Sequence, residues 1–129
     1  MKHRTLLTVT SLVAILLFTF HFADDIVRGL EQGDLFDYTG ILIVAAWLYA
    51  TLALNERRAG LAVMLLFSLG AAAVPALHMG GAGMVGGRIA GTSGMLFWAW
   101  TLIALGATGL VSAALAARGL WKLRATRAA

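Results

Sequence analysis

YTGILIVAAWLYATLALNERRAGLAVMLLFSLGAAAVPAL, running from Tyr38 to Leu77, holds two long apolar runs separated only by the polar stretch Asn55-Glu56-Arg57-Arg58. The flanking runs, Tyr38–Leu54 and Ala59–Leu77, contain no Asp, Glu, Lys or Arg. A helix that crosses the hydrocarbon of a bilayer needs roughly 20 mostly apolar residues, with about 17 to 25 observed, so both runs are long enough. In lipid only helices and closed barrels satisfy the backbone, and continuous apolar runs without period-two alternation select the helix. The short polar turn then makes the pair an antiparallel helical hairpin.

Two more runs of the same kind flank the hairpin, Thr5–Phe22 and Met95–Ala117. The expected fold is therefore all-α and polytopic, with four transmembrane helices near residues 5–22, 38–54, 59–77 and 95–117. One four-helix domain is expected over 1–129, since no internal repeat, Pro-rich linker or second compositional zone is found. The first run follows Lys2 and Arg4 as a signal peptide would, but it is long and ends in Phe20-His21-Phe22 rather than in small residues, so a retained helix is expected.

Composition agrees with a membrane setting. The chain of 129 residues is 60% hydrophobic and 12% charged, with a mean hydropathy of +0.87, whereas a soluble domain is about half apolar and about a quarter charged. The net charge of +4 does not point to nucleic acid, because the basic residues lie between apolar runs rather than in a stripe with interleaved aromatics. There are no cysteines, which excludes disulfides, thiolate metal sites and thiol redox chemistry.

The cations also orient the chain. Lys2 and Arg4 precede the first run, Arg57 and Arg58 fill the hairpin turn, and Arg118, Lys122, Arg124 and Arg127 follow the last run. The other two loops hold only Arg28 and Arg88, while Asp24, Asp25, Glu31, Asp34 and Asp37 gather in the first of them. The positive-inside rule then places both termini on the cytoplasmic side of a cell inner membrane. Trp98 and Trp121 are expected in opposite interfacial belts. Small residues four apart, Ser68, Ala72 and Ala76 on the third helix and Gly109, Ala113 and Ala117 on the fourth, are expected to line a close helix–helix contact. Met64 and Met95 read as filler rather than as a metal-binding methionine set.

Three features bear on chemistry. His21, Asp24, Asp25 and Arg28 fall at helical spacings of three and four, and share one face if the first helix continues past Phe22. His78 ends the third run at a similar depth. Two imidazoles with a carboxylate would suit a zinc-like divalent ion. The plainer reading is favoured by the sequence: an Asp24–Arg28 pair at i,i+4 with both histidines as interfacial caps, because two histidines on different helices match no metal-motif spacing. On either reading, His21 and His78 are expected to approach a shared carboxylate, Asp24 or Asp25.

The second feature is the loop Met79–Gly94, with seven glycines. Its Gly81-x-Gly83-x-x-Gly86 matches a dinucleotide fingerprint in letters only, since no strand precedes it. A re-entrant or lid-like loop is the better expectation. Its single charge, Arg88, is expected to pair with the acidic first loop or to meet an anionic ligand or lipid headgroup. The third feature is the lack of any acid or Arg inside the four runs, which argues against an ion-coupled transporter. A channel lined by Thr8, Ser11, Thr51 and Thr101 is weighed against ordinary helix-to-helix bonding.

The stretch His21-Phe-Ala-Asp-Asp-Ile-Val-Arg-Gly-Leu-Glu31, with His78-Met-Gly-Gly and Gly86-Gly-Arg88, resembles a group of small bacterial four-helix membrane proteins over most of the chain. The resemblance implies the fold and a bacterial setting and carries no activity. The leading expectation is a non-enzymatic inner-membrane protein, an interaction or accessory subunit that uses its outer loops, with the bilayer and a membrane partner or a second copy as its contacts. The alternative is an outer-face metal-binding or metal-dependent activity at His21, Asp24, Asp25 and His78. A small-solute transporter or channel stands third. No catalytic residue is assigned and no cofactor is named.

Overall fold

The computed structural model describes the backbone of residues 2–30, 35–78 and 89–128, and the side chains of 2–30, 38–78 and 89–125. Four helices follow in order, α1 (Lys2–Val27), α2 (Leu35–Ala53), α3 (Arg58–His78) and α4 (Met95–Ala128), and the described residues contain no strand. Three are long and apolar enough to cross a membrane, in the segments Lys2–Val27, Arg58–His78 and Met95–Ala125. The apolar part of α2, Tyr38–Ala53, is shorter. That segment coincides with the run expected over 38–54, and the four helices fall where the sequence expected them.

The helices run alternately up and down. α4 packs most extensively on α3 and next on α1, and α2 joins α1 and α3 without touching α4 among the described residues. One end of the bundle gathers the start of α1, the α2–α3 turn and the end of α4. There Arg4 pairs with Glu56, and Arg58 Nη2 donates to Leu123 O at 2.9 Å. The opposite end gathers the end of α1, the end of α3 and the start of α4.

The close contact between α3 and α4 rests on small side chains. A Cβ at Gly109 would stand 2.8 Å from Ala72 N and 2.9 Å from Ser68 O, so backbone meets backbone at that point. Ser68 Oγ donates to Ser112 Oγ at 2.9 Å one turn further on. The expected four-residue ladder drifts beyond these rungs: Ala76 and Ala117 are exposed, and Gly106 against Pro75, Ala116 and Gly119 against Leu61 take up the contact. A straight helix turns 3.6 residues per turn, so a strict spacing of four walks off the seam.

The core holds Leu7, Ala14, Ile15, Trp47, Ala50, Leu61, Met64, Ala71, Leu105 and Ala116. Buried hydroxyls are bonded between helices or back to their own: Ser11 Oγ lies 2.8 Å from Thr51 Oγ1, and Asn55 Nδ2 donates to Thr8 Oγ1 at 3.4 Å. The channel-lining set is thus engaged in bonding. Large apolar side chains cover the outside of every helix, Leu16, Leu42, Leu69 and Leu110 among them, a surface that water would not tolerate over such an area.

Candidate metal centre

The site is built where α1 stops. Gly29 adopts φ 64°, Leu30 N–H donates to Asp25 O at 2.9 Å and Gly29 N–H to Ile26 O at 2.9 Å. This pair of bonds is a Schellman stop, which requires a left-handed residue that glycine supplies at least cost. α1 therefore continues more than a turn past Phe22, and His21 and Asp25, four residues apart, share its inward face. Leu30, just past the stop, packs on a small second core of Ile89, Trp98 and Leu102.

Into this corner α3 sends its last residue, His78, and α4 sends Trp98 and Thr101 from its first two turns. Asp25 is 2% exposed and His21 3%. Asp25 Oδ1 accepts from Trp98 Nε1 at 2.7 Å. Asp25 Oδ2 lies 3.2 Å from His78 Nε2 and 3.5 Å from His21 Nε2. The ring centroids of the two histidines are 5.0 Å apart in an edge arrangement, and Trp98 stands against both, at 5.3 Å from His21 and 5.5 Å from His78. The candidate ligand atoms of His21, Asp25 and His78 all lie within 4.8 Å of one another.

The hydrogen bonds on the far side of each ring decide what the near side offers. His78 Nδ1 lies 3.0 Å from Val74 O, an acceptor, so Nδ1 carries the hydrogen and Nε2 holds a lone pair. Thr101 Oγ1 is 3.0 Å from Phe97 O and from Trp98 O, which occupies its hydrogen, and it therefore accepts from His21 Nδ1 at 3.1 Å. His21 Nε2 is then also a lone pair, fully buried and without a hydrogen bond. With both rings neutral, two imidazole lone pairs and a carboxylate oxygen face a common point; a second proton on His78 would instead make its 3.2 Å contact with Asp25 Oδ2 a charge-assisted hydrogen bond. The neutral set repels itself unless a proton or a cation lies between, and burial makes an uncompensated carboxylate costly.

The distances suit a cation. With metal–nitrogen and metal–oxygen lengths of about 2.0–2.2 Å, the edge of a ligand tetrahedron is about 3.3–3.6 Å. The two edges that meet at Asp25 Oδ2, 3.2 and 3.5 Å, are close to that length, and all three candidate atoms lie within 4.8 Å of one another. The backbone carbonyl and the hydroxyl behind the rings are the outer partners that ligating histidines use to fix tautomer and direction.

The structure separates the two neighbouring acids. Asp24 points away from the cluster and accepts from Arg28 Nε at 2.8 Å. Arg28 also donates to Thr92 Oγ1 at 2.9 Å and Ser93 O at 2.8 Å, tying the end of α1 to the approach to α4. Among the sequence candidates, His21, Asp25 and His78 are brought together, while Asp24 and Arg28 form the i,i+4 pair of the plainer reading. Arg88, Glu31, Asp34 and the Gly81–Gly86 fingerprint lie outside the described residues.

Sequence reasoning missed Trp98 and Thr101. Trp98 was expected in an interfacial belt and is instead 3% exposed against Asp25; Trp100 and Trp121 are the exposed indoles. The available signal was chemical: one Arg28 can balance only one of the two adjacent acids, the other then needs N–H donors, and an indole is a donor only.

A cleft of about 270 Å³ opens on the cluster from the α2 side, lined by Phe18, Phe22, Thr39, Gly40, Ile43 and Val74 together with His21, Asp25 and His78. Set against protein-family models, curated proteins and solved structures, the chain gives no match in any of the three. The functional reading accordingly rests on the geometry of this corner.

Proposed function

We propose that the protein is a bacterial plasma-membrane protein that binds one divalent transition-metal ion through His21 Nε2, Asp25 Oδ2 and His78 Nε2, near the outer ends of its helices. The observation that carries this is the convergence of two imidazole Nε2 atoms on one buried carboxylate oxygen, each imidazole having its other nitrogen engaged behind it. Two imidazoles and one carboxylate suit zinc or ferrous iron, and three protein ligands leave a further coordination position for water or a ligand. Apolar helix surfaces support the membrane setting, and the cations at the other end of the bundle support a cytoplasmic location for both termini.

The reading of an accessory subunit that recognises a partner through its outer loops draws no support from the described residues, because the central parts of those loops, 31–34 and 79–88, lie outside them. The test is metal analysis of protein purified in detergent without a histidine tag, before and after incubation with zinc or, under anaerobic conditions, ferrous iron. About one equivalent per chain is expected, with loss in His21→Ala and Asp25→Asn. Wild-type protein that stays folded and retains no stoichiometric ion would refute the reading and leave a proton shared between His78 and Asp25 as the content of the site.

A further inference from the structure

The cluster has one closed and one open side, and the difference lies in the helices. α4 closes it: Trp98 and Thr101 are 3% and 1% exposed and hydrogen-bond to Asp25 and His21. α2 stands on the other side. It supplies one wall of the cleft, Thr39, Gly40 and Ile43, facing Phe18 and Phe22 of α1 and Val74 of α3. Phe18 and Phe22 stack in parallel with centroids 5.7 Å apart, and the Phe22 ring lies directly against Gly40. The cleft is therefore apolar along its walls and polar only at its inner end, where the three ligand side chains stand. Thr39, at its rim, is exposed.

We infer that this cleft takes an amphiphile, an acyl chain ending in an anionic oxygen donor such as a carboxylate, whose head completes the coordination of the ion and whose first carbons lie between Phe18, Phe22 and Ile43. The inference rests on the metal reading above. One consequence of that reading and two observations select this occupant. A divalent ion on one carboxylate and two neutral imidazoles leaves a net charge of +1, which favours an anionic head. The walls offer no polar partner beyond the cluster except Thr39. The volume of about 270 Å³, at about 30 Å³ for each water-sized group, holds roughly nine heavy atoms, enough for a head and a short run of chain.

The experiment uses the full chain in detergent with Co²⁺ in place of the native ion, whose visible spectrum reports inner-sphere binding. The probes are acetohydroxamate and octanohydroxamate, which share a head and differ by six methylenes. At about fourfold per buried methylene, octanohydroxamate should perturb the Co²⁺ spectrum at a concentration at least 100-fold lower than acetohydroxamate. Ile43→Trp, which fills the cleft, should remove that preference and leave the Co²⁺ spectrum and the acetohydroxamate response in place; Thr39→Phe at the rim serves should the first variant fail to fold. Equal responses to both probes in the wild type, or a preference that survives in a folded cleft variant, would overturn the inference while leaving the metal site standing. Failure of Co²⁺ to bind would overturn the metal reading and this inference with it.

Discussion

Replacing Trp98 with Phe removes one N–H together with part of a buried ring, and the structure fixes what that N–H does. The indole donates to Asp25 Oδ1 at 2.7 Å, between groups that are both almost fully buried. A hydrogen bond to a charged acceptor contributes about 1.5–3 kcal/mol, and a buried acceptor left unsatisfied costs at least as much as the lost bond. In the ion-bound protein the same bond holds the ligating carboxylate in direction, and loss of such an outer partner lowers metal affinity about 10–100-fold. At about 1.4 kcal/mol per tenfold, that is about 1.4–2.8 kcal/mol, so the two estimates agree. Phe retains most of the ring that packs with Ile89 and Leu102, which keeps the packing loss small. The assay is competition for Zn²⁺ against a chromophoric chelator in detergent, with thermal unfolding followed with and without metal. Wild-type protein at free Zn²⁺ of 100 times its dissociation constant gains about 2.7 kcal/mol from binding, and the variant should lose about 1.3–2.3 kcal/mol of that gain at the same free Zn²⁺. Unchanged affinity in a folded Trp98→Phe protein would refute the assignment of Asp25 as a ligand aligned by the indole.

Other expectations follow from the same geometry. Asp25→Asn should abolish metal binding, whereas Asp24→Asn should leave the affinity within about twofold, and equal losses would show that the two acids are not separated as described. Arg28→Ala should cost about 1–3 kcal/mol, since it removes bonds to Asp24, Thr92 and Ser93, and should speed proteolysis near residues 89–94; Arg28→Lys should recover only part, because an ammonium cannot span three acceptors in a fork. Gly109→Leu must push α3 and α4 apart at Ser68 and Ala72, at about 1–3 kcal/mol or more, and an unchanged melting temperature would contradict the backbone contact. Single cysteines at positions 2 and 126 should resist an impermeant thiol reagent in intact cells while one at position 33 reacts, and labelling of both ends from outside would invert the orientation.

The fold was legible because its signals are long. Uncharged runs of seventeen residues or more cannot be solvated, and the Asn55–Arg58 break between two of them marks a hairpin by itself. Helix ends were less legible. The charges of Asp24, Asp25 and Arg28 look like a membrane boundary, yet α1 runs on to Val27, because Asp25 finds buried partners and Arg28 neutralises Asp24. Likewise α4 continues through Arg118 and Lys122 to Ala128, since a helix does not need lipid to persist. The association of His21, His78 and a neighbouring acid could be anticipated from depth alone. Which acid took part, and which residues stood behind the rings, depended on the rotation of α1 and α4 about their axes, and a chain read one helix at a time does not carry that angle.

The adjacent acids carry the argument for the proposed binding site over a structural polar network. Successive helical residues point about 100° apart, so Asp24 and Asp25 meet different surroundings although their chemistry is the same. Asp24 is given Arg28, one turn on, and its charge is balanced by a guanidinium that also ties down the approach to α4. Asp25 is given an indole and two imidazoles, which as neutral rings direct it without balancing it. Burying a carboxylate costs several kcal/mol even after relaxation, and a corner that served stability alone would be filled by an apolar side chain of similar size or by a second Arg. A proton on His78 would bring the cluster to neutrality but would leave His21 Nε2 facing the carboxylate with nothing to donate. A divalent ion satisfies all three ligand atoms together and leaves one positive charge directed to the side that α4 does not close, where the walls of the cleft are apolar.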